Sequence, residues 1–164
     1  MLQRPSGYSP SSISLASDVH GSSKYLNILL QKFEENKADK LVLLGDLYYH
    51  GPRNPLPEEY SPKDCIKALN NINDKLIVVQ GNCDAEVDQM VSEFPIIKDV
   101  IISVDGLNLF LTHGHIYGPQ NIPANAGDVL LYGHYHVTNM EKKDNKKTQE
   151  VKNNKKNSKN KNND

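Results

Sequence analysis

Three stretches of this chain, KLVLLGD (40–46), KLIVVQGNCD (75–84) and DVLLYGHYH (128–136), share one design: a run of consecutive apolar residues cut off abruptly by glycine and polar groups. Such runs are too short for helices and show no polar alternation, so each reads as a strand buried on both faces. Strands of that kind need a layer on either side, which confines the chain to a layered α/β fold. The intervening segments fit. SKYLNILLQKFEEN (23–36) places Leu26, Leu29, Leu30 and Phe33 on one helical face, with Ser22 or Ser23 as cap. KDCIKALNNI (63–72) reads as a second helix and the segment from about Ala85 to Phe94 as a third, short one. ISLA (13–16) is a further short strand, and the Asp105-Gly106 pair inside VIISVDGLNLFLTHGH (100–115) marks a hairpin. The expected order is β-α-β-α-β-α, then β-β, then β, with some antiparallel pairing.

Charge is unevenly spread. The 164 residues carry a net charge of −1, but residues 1–140 hold ten Lys/Arg against sixteen Asp/Glu, a net charge of −6. Residues 141–164 hold nine lysines and four acids with almost nothing apolar. An acidic body is poorly suited to gripping nucleic acid by its phosphates, so no specific nucleic-acid partner is expected. Any phosphate it meets must find positive charge other than lysine, and metal ions are the obvious source. Two cysteines give no disulfide framework and suit a reducing cytoplasm. No apolar run has signal-peptide or membrane-span length, so a soluble cytoplasmic chain without a membrane partner is expected. Three regions follow: a flexible extension over 1–11, one domain over 12–140, and a disordered Lys/Asn-rich tail over 141–164 whose ordinary role is a solvated run.

The polar clusters DVH (18–20), GD (45–46), GNCD (81–84), THGH (112–115) and GHYH (133–136) all fall at the C-terminal ends of predicted strands. There, open α/β sheets bring distant loops into one crevice. Each has an ordinary reading by itself. Asp18 and His20 are solvated loop residues, Gly45-Asp46 is turn chemistry, Asn82 caps the next helix, and His113 is a loop polar. His134 and His136, two apart on an extended segment, point the same way. Together they are two aspartates, an asparagine and four histidines at strand ends. Carboxylate oxygens and imidazole nitrogens without a thiolate pair suit Mn²⁺, Fe, Zn²⁺ or Mg²⁺. The donors exceed what one ion needs once water and substrate are counted, so two ions sharing a bridging carboxylate are the economical explanation.

SDVHGS, GDLYYHGPRN, GNCD, LTHGH and GHYH, in this order and at these intervals, resemble the calcineurin-like metallophosphoesterase superfamily. HGPRNPLPEEYSP and GNCDAEVDQM narrow the resemblance to the bacterial YfcE-like phosphodiesterases; it covers about residues 13–140. The resemblance implies a four-layer αββα sandwich with two divalent metals at the strand ends, Mn²⁺ first among them. Asp18, His20 and His136 resemble ligands of one metal, Asn82, His113 and His134 ligands of the other, and Asp46 the bridge. Two such cations polarise a bridging water to hydroxide and neutralise the phosphoryl oxygens during in-line attack on a small phosphodiester. His115, next to His113, orients it or approaches the phosphate. His50 and Arg53, in the loop after Asp46, are placed to face the substrate, although an exposed loop arginine is as ordinary a reading of Arg53.

Cys83 stands where much of the superfamily has a histidine that helps protonate the leaving group. A thiol is a poorer donor, though the YfcE-like group resembles this chain in having it. Cys65, beside Ile66 and Leu69 on a helical pattern, reads as core. After the GHYH motif the resemblance implies further strands of a second sheet. The Lys/Asn-rich run in their place reads either as a truncated version with a disordered basic tail or as a reading frame disrupted near Asn139, and with either an incomplete second sheet with an exposed edge is expected. Two other readings stand beside the enzyme: a protein-binding module on the same fold, as in the small subunit of retromer, and an inactive fragment. A homo-oligomer is compatible with all three.

Overall fold

The structure, a computed structural model, describes residue 10 and residues 12–136. The extension expected over 1–11, residue 10 apart, and the tail expected over 141–164 lie outside the described residues. The elements run β1 (Ile13–Ala16), α1 (Ser23–Asn36), β2 (Lys40–Leu43), α2 (Pro62–Asn70), a 3₁₀ turn (Asn73–Lys75), β3 (Leu76–Val79), α3 (Glu86–Val91), β4 (Ile96–Ile97), β5 (Val100–Val104), β6 (Leu107–Leu111) and β7 (Val129–Leu131).

Strands β1 to β4 form a parallel sheet in sequential order, with Leu41 opposite Leu76 and Leu15 opposite Val42. Right-handed crossovers that all step the same way put every connecting helix on one face. Alternation along the strands then divides the core in two. Leu41, Leu43, Leu76 and Val78 meet Leu26 and Phe33 of α1 and Cys65 and Leu69 of α2. Val42, Leu44 and Val79 face the other way, onto Leu109 and Leu111 of the second sheet and the half-buried Val100, Ile102 and Leu131. β2 and β3 are thus buried on both faces, and Cys65 is core, as expected; β7, expected to be buried likewise, is not, with Val129 exposed and Leu130 and Leu131 half-buried.

The second sheet is mixed. β5 pairs antiparallel with β6 across Asp105 and Gly106, both at positive φ (52° and 83°), as a tight primed turn requires. β7 joins β6 in parallel, Phe110 opposite Leu130. The fold is α/β, and the described residues supply three layers of the expected sandwich: helices, parallel sheet and mixed sheet. Among the described residues no helix is long and apolar enough to cross a membrane.

The strands expected over 40–46 and 128–136 end early, at Leu43 and Leu131. Asp46, His134 and His136 have φ of 56°, 73° and 53°, values that take the chain out of any ladder. β4 was not foreseen: two residues after Pro95 carry no periodic signal, and Val78 and Val79 alone define it as a strand. Asn82 does not cap α3. Its N-cap is Ala85, whose N–H is met by the Asp88 carboxylate at 2.7 Å.

Candidate metal centre

Five loops converge at the C-terminal ends of β1, β2, β3, β6 and β7, and the expected residues meet there. His20 Nε2 lies 3.7 Å from both Asp18 Oδ1 and Asp46 Oδ2, and 3.3 Å from His136 Nε2. His136 Nε2 is 3.2 Å from Asp18 Oδ1. On the other side of Asp46, His113 Nε2 is 3.4 Å from Asp46 Oδ2, 3.0 Å from Asn82 Oδ1 and 3.2 Å from His134 Nδ1. Asp18, His20 and His136 form one group, and Asn82 and His134 both lie against His113; Asp46 reaches His20 on one side and His113 on the other, and Asp18 also comes within 4.8 Å of the Asp46–His113 pair. His20, Asp46 and His113 are buried and make the floor, while Asn82 and His136 are exposed at the rim.

The expectation that His134 and His136 point the same way from an extended strand is overturned. Both sit in the left-handed region beyond the end of β7, so the chain turns between them. One ring packs against His113, with centroids 5.0 Å apart, and the other against His20 at 5.2 Å. Five of the seven converging residues, Asp18, His20, Asp46, His134 and His136, have φ between 50° and 73°. Each such conformation costs on the order of 1 kcal/mol, and its concentration here marks a site whose geometry the surrounding structure enforces.

The donor chemistry fits cations. His113 Nδ1 is 2.6 Å from the Leu44 carbonyl and His20 Nδ1 is 2.8 Å from the Tyr49 carbonyl. A carbonyl only accepts, so both Nδ1 atoms carry a hydrogen and each ring turns Nε2 into the site, where in that tautomer it offers a lone pair. Those lone pairs meet carboxylate oxygens, an amide oxygen and other imidazole nitrogens. Asp18 Oδ1 is buried with no hydrogen-bond partner. Acceptors facing acceptors need positive charge among them, either a proton or a metal ion. The same demand acts on the titratable groups. Burial pushes the Asp46 carboxyl up, but His113, the Cys83 N–H and His20 outweigh it and hold the group at about 2. Burial pushes His113 down, yet Asp46 and the Leu44 carbonyl raise it overall.

Backbone approach makes this convergence possible. Gly45 has φ 97° and Gly81 lies against Asp46; a Cβ on Gly81 would collide with the Asp46 carboxylate. Asp84 holds the two loops together, a role not foreseen for it. Its buried carboxylate accepts from the N–H of Asp46 (2.8 Å), Leu47 (2.8 Å) and Gly81 (2.6 Å). The signal available was its place closing the GNCD motif, three residues after Gly81, where an aspartate can reach back to the backbone. The Asp18 carboxylate accepts similarly from the His134 N–H at 2.9 Å, pinning the last loop to the first.

The remaining candidates lie at the margins. Cys83 Sγ comes within 4.8 Å of the ligand atoms of His20 and Asp46. Burial and Asp46 push its thiol up to about 11, so it stays protonated at neutral pH. His115 is exposed, its ring centroid 5.3 Å from that of His113 and 6.2 Å from that of His134. His50 lies edge-on to Tyr49 and Tyr60 and borders a cleft beside Asp18, His20 and His136. Arg53 is exposed in the turn after Gly51 and does not line that cleft.

Residues 12–151 match the calcineurin-like phosphoesterase superfamily domain. The phosphodiesterase YfcE of Escherichia coli K12 is 48% identical over 130 residues, which are 78% of this chain and 71% of that one. A phosphodiesterase of Methanocaldococcus jannaschii is 26% identical over 141 residues, 80% of this chain and 77% of that one. The solved structure of the E. coli Yfce phosphoesterase superposes with a TM-score of 0.67 and 46% identity, covering 69% of this chain. The match spans 63% of that structure's chain, less than two thirds of its length.

Proposed function

The chain belongs to the calcineurin-like phosphoesterase superfamily, and on that premise we propose that it is a metal-dependent phosphodiesterase acting on small phosphodiesters. The observation that carries this reading is the ring of acceptor atoms around Asp46, from Asp18, His20 and His136 and from His113 with its neighbours Asn82 and His134, with a hydrogen-bond-fixed tautomer on each of two floor histidines. The proposed ligands are Asp18, His20 and His136 on one side, Asn82, His113 and His134 on the other, and Asp46 shared. When bound, two divalent cations would supply a nucleophile from water at neutral pH and neutralise the phosphoryl oxygens of the substrate. Nitrogen and oxygen donors without a thiolate pair suit Mn²⁺, Fe, Zn²⁺ and Mg²⁺ alike, and the family resemblance puts Mn²⁺ first.

The protein's own residues hold and orient. The Leu44 and Tyr49 carbonyls fix the His113 and His20 rings, and Asp84 fixes the backbone on which Asp46 sits. Asn82 offers a neutral oxygen, which keeps the centre from repelling an anionic substrate. His115, exposed with its ring centroid 5.3 Å from that of His113, is the proposed residue to orient His113 or approach the phosphoryl group. Cys83 is a neutral thiol there and a weak proton donor. Two cysteines without a disulfide support a reducing compartment such as the cytoplasm.

The test is hydrolysis of bis(p-nitrophenyl) phosphate by the purified chain with and without Mn²⁺, beside Asp46→Ala. Metal-dependent turnover that Asp46→Ala abolishes is expected. Folded protein with no metal-dependent turnover would overturn the enzyme, and turnover surviving Asp46→Ala would overturn the site.

A further inference from the structure

The cleft beside Asp18, His20 and His136 has a volume of about 510 Å³ and two built walls. One is the start of α1, where Tyr25 is 53% exposed and Leu29 is half-buried. The other is the loop after Asp46, contributing His50, Asn54, Pro55 and Pro57. That loop is anchored at both ends. Asn54 Nδ2 donates to the His50 carbonyl at 2.9 Å. At its far end the Ser22 and Ser23 hydroxyls donate to the Glu58 and Glu59 carbonyls at 2.7 and 2.9 Å, tying the loop to the first turn of α1. Two prolines fix φ between these anchors. The His50 ring is held edge-on between Tyr49 and Tyr60, with centroids 4.8 and 5.3 Å away. Such a cleft is pre-formed and loses little entropy when filled.

Its lining is flat and uncharged except at the metal end. Among the described residues that border it there is no lysine or arginine, and the nearby Lys24 is paired with Glu58. Lys24 Nζ stands 5.8 Å from the centroid of the Tyr25 ring, so the selection rests on shape and apolar contact: an aromatic ring would meet Tyr25, Leu29 and the proline edges. We propose that this cleft is the subsite for one ester group of the substrate, and that it selects an aromatic group, with Tyr25 as the specificity-determining residue. The inference rests on the phosphodiesterase reading for its phosphate end, which sits at Asp18, His20 and His136.

Binding separates the two. Phenylphosphonate and methylphosphonate share one head group and differ only in the part assigned to the cleft. Calorimetric titration of the Mn²⁺-loaded full chain is expected to give about tenfold tighter binding of phenylphosphonate. Tyr25→Ala should bring that ratio to about threefold or less, and Tyr25→Phe should restore it, since the ring and not the hydroxyl is at work. A ratio unchanged by Tyr25→Ala, equal losses for both ligands, or no binding of either phosphonate would overturn the subsite. A preserved ratio without turnover of bis(p-nitrophenyl) phosphate would instead overturn the phosphodiesterase reading and leave the subsite standing.

Discussion

Asp46 and Asp84 are both aspartates, both buried, and stand in successive strand-end loops, yet they do different work. Asp46 turns one oxygen to His113 and His20 and the other to the Cys83 N–H. Asp84 spends its carboxylate on three backbone donors and none on the proposed metal centre. Asp84→Asn keeps the shape but leaves a neutral group with one good acceptor for three N–H groups. Metal affinity is expected to weaken by about 10–100-fold, as for other groups that orient a ligand from behind. Calorimetric titration with Mn²⁺ checks this, and unchanged affinity would remove Asp84 from the support of the site.

The elements set where these residues stand, and glycine decides how closely the loops approach. Gly81→Ala puts a methyl group into the Asp46 carboxylate while leaving both sheets untouched. A displacement of about 1 Å at a reacting centre costs about 100-fold in rate, so turnover should fall by that order while far-ultraviolet circular dichroism is retained. Helix α1 depends on its cap. The Ser22 hydroxyl accepts from the Tyr25 N–H at 3.3 Å and donates to the Glu58 carbonyl. Ser22→Ala should cost about 1 kcal/mol or somewhat more in urea unfolding, because both the cap and the tether of the cleft loop are lost.

Across the whole molecule, the proposed metals couple to stability. The acceptor-lined centre joins loops from both sheets, with His113 Nδ1 on the Leu44 carbonyl and His134 N–H on Asp18. A cation bound only by the folded chain should stabilise it by about 2.7 kcal/mol at a hundredfold excess over its dissociation constant. Thermal unfolding should therefore shift upward with added Mn²⁺ and return with chelator, in wild type but not in Asp46→Ala. An equal shift in both would place the binding elsewhere.

How much of this could be read without coordinates follows from the range of the interactions. The doubly buried β2 and β3, the amphipathic α1 with Ser22 or Ser23 as its cap, and the Asp105-Gly106 turn are local patterns that the chain carries; the choice of Ser22 and the half-exposed β7 are not. The seven converging residues were legible because their types and their places after apolar runs are also local. Four matters lay beyond that reach. The early ends of β2 and β7 and the divergence of His134 from His136 depend on backbone angles imposed by loops packing together. The two-residue β4 exists only because β3 offers a partner. Asn82 is free of a cap because α3 begins only after Ala85, three residues further on. The part of Asp84 rests on contacts made 37 and 38 residues away. The sequence by itself determined which chemistry can assemble, since donor type is a property of each side chain. Only the tertiary structure decided how the backbone turns to bring those side chains within reach, with five of them at positive φ, because that depends on how loops from five strands close over one another.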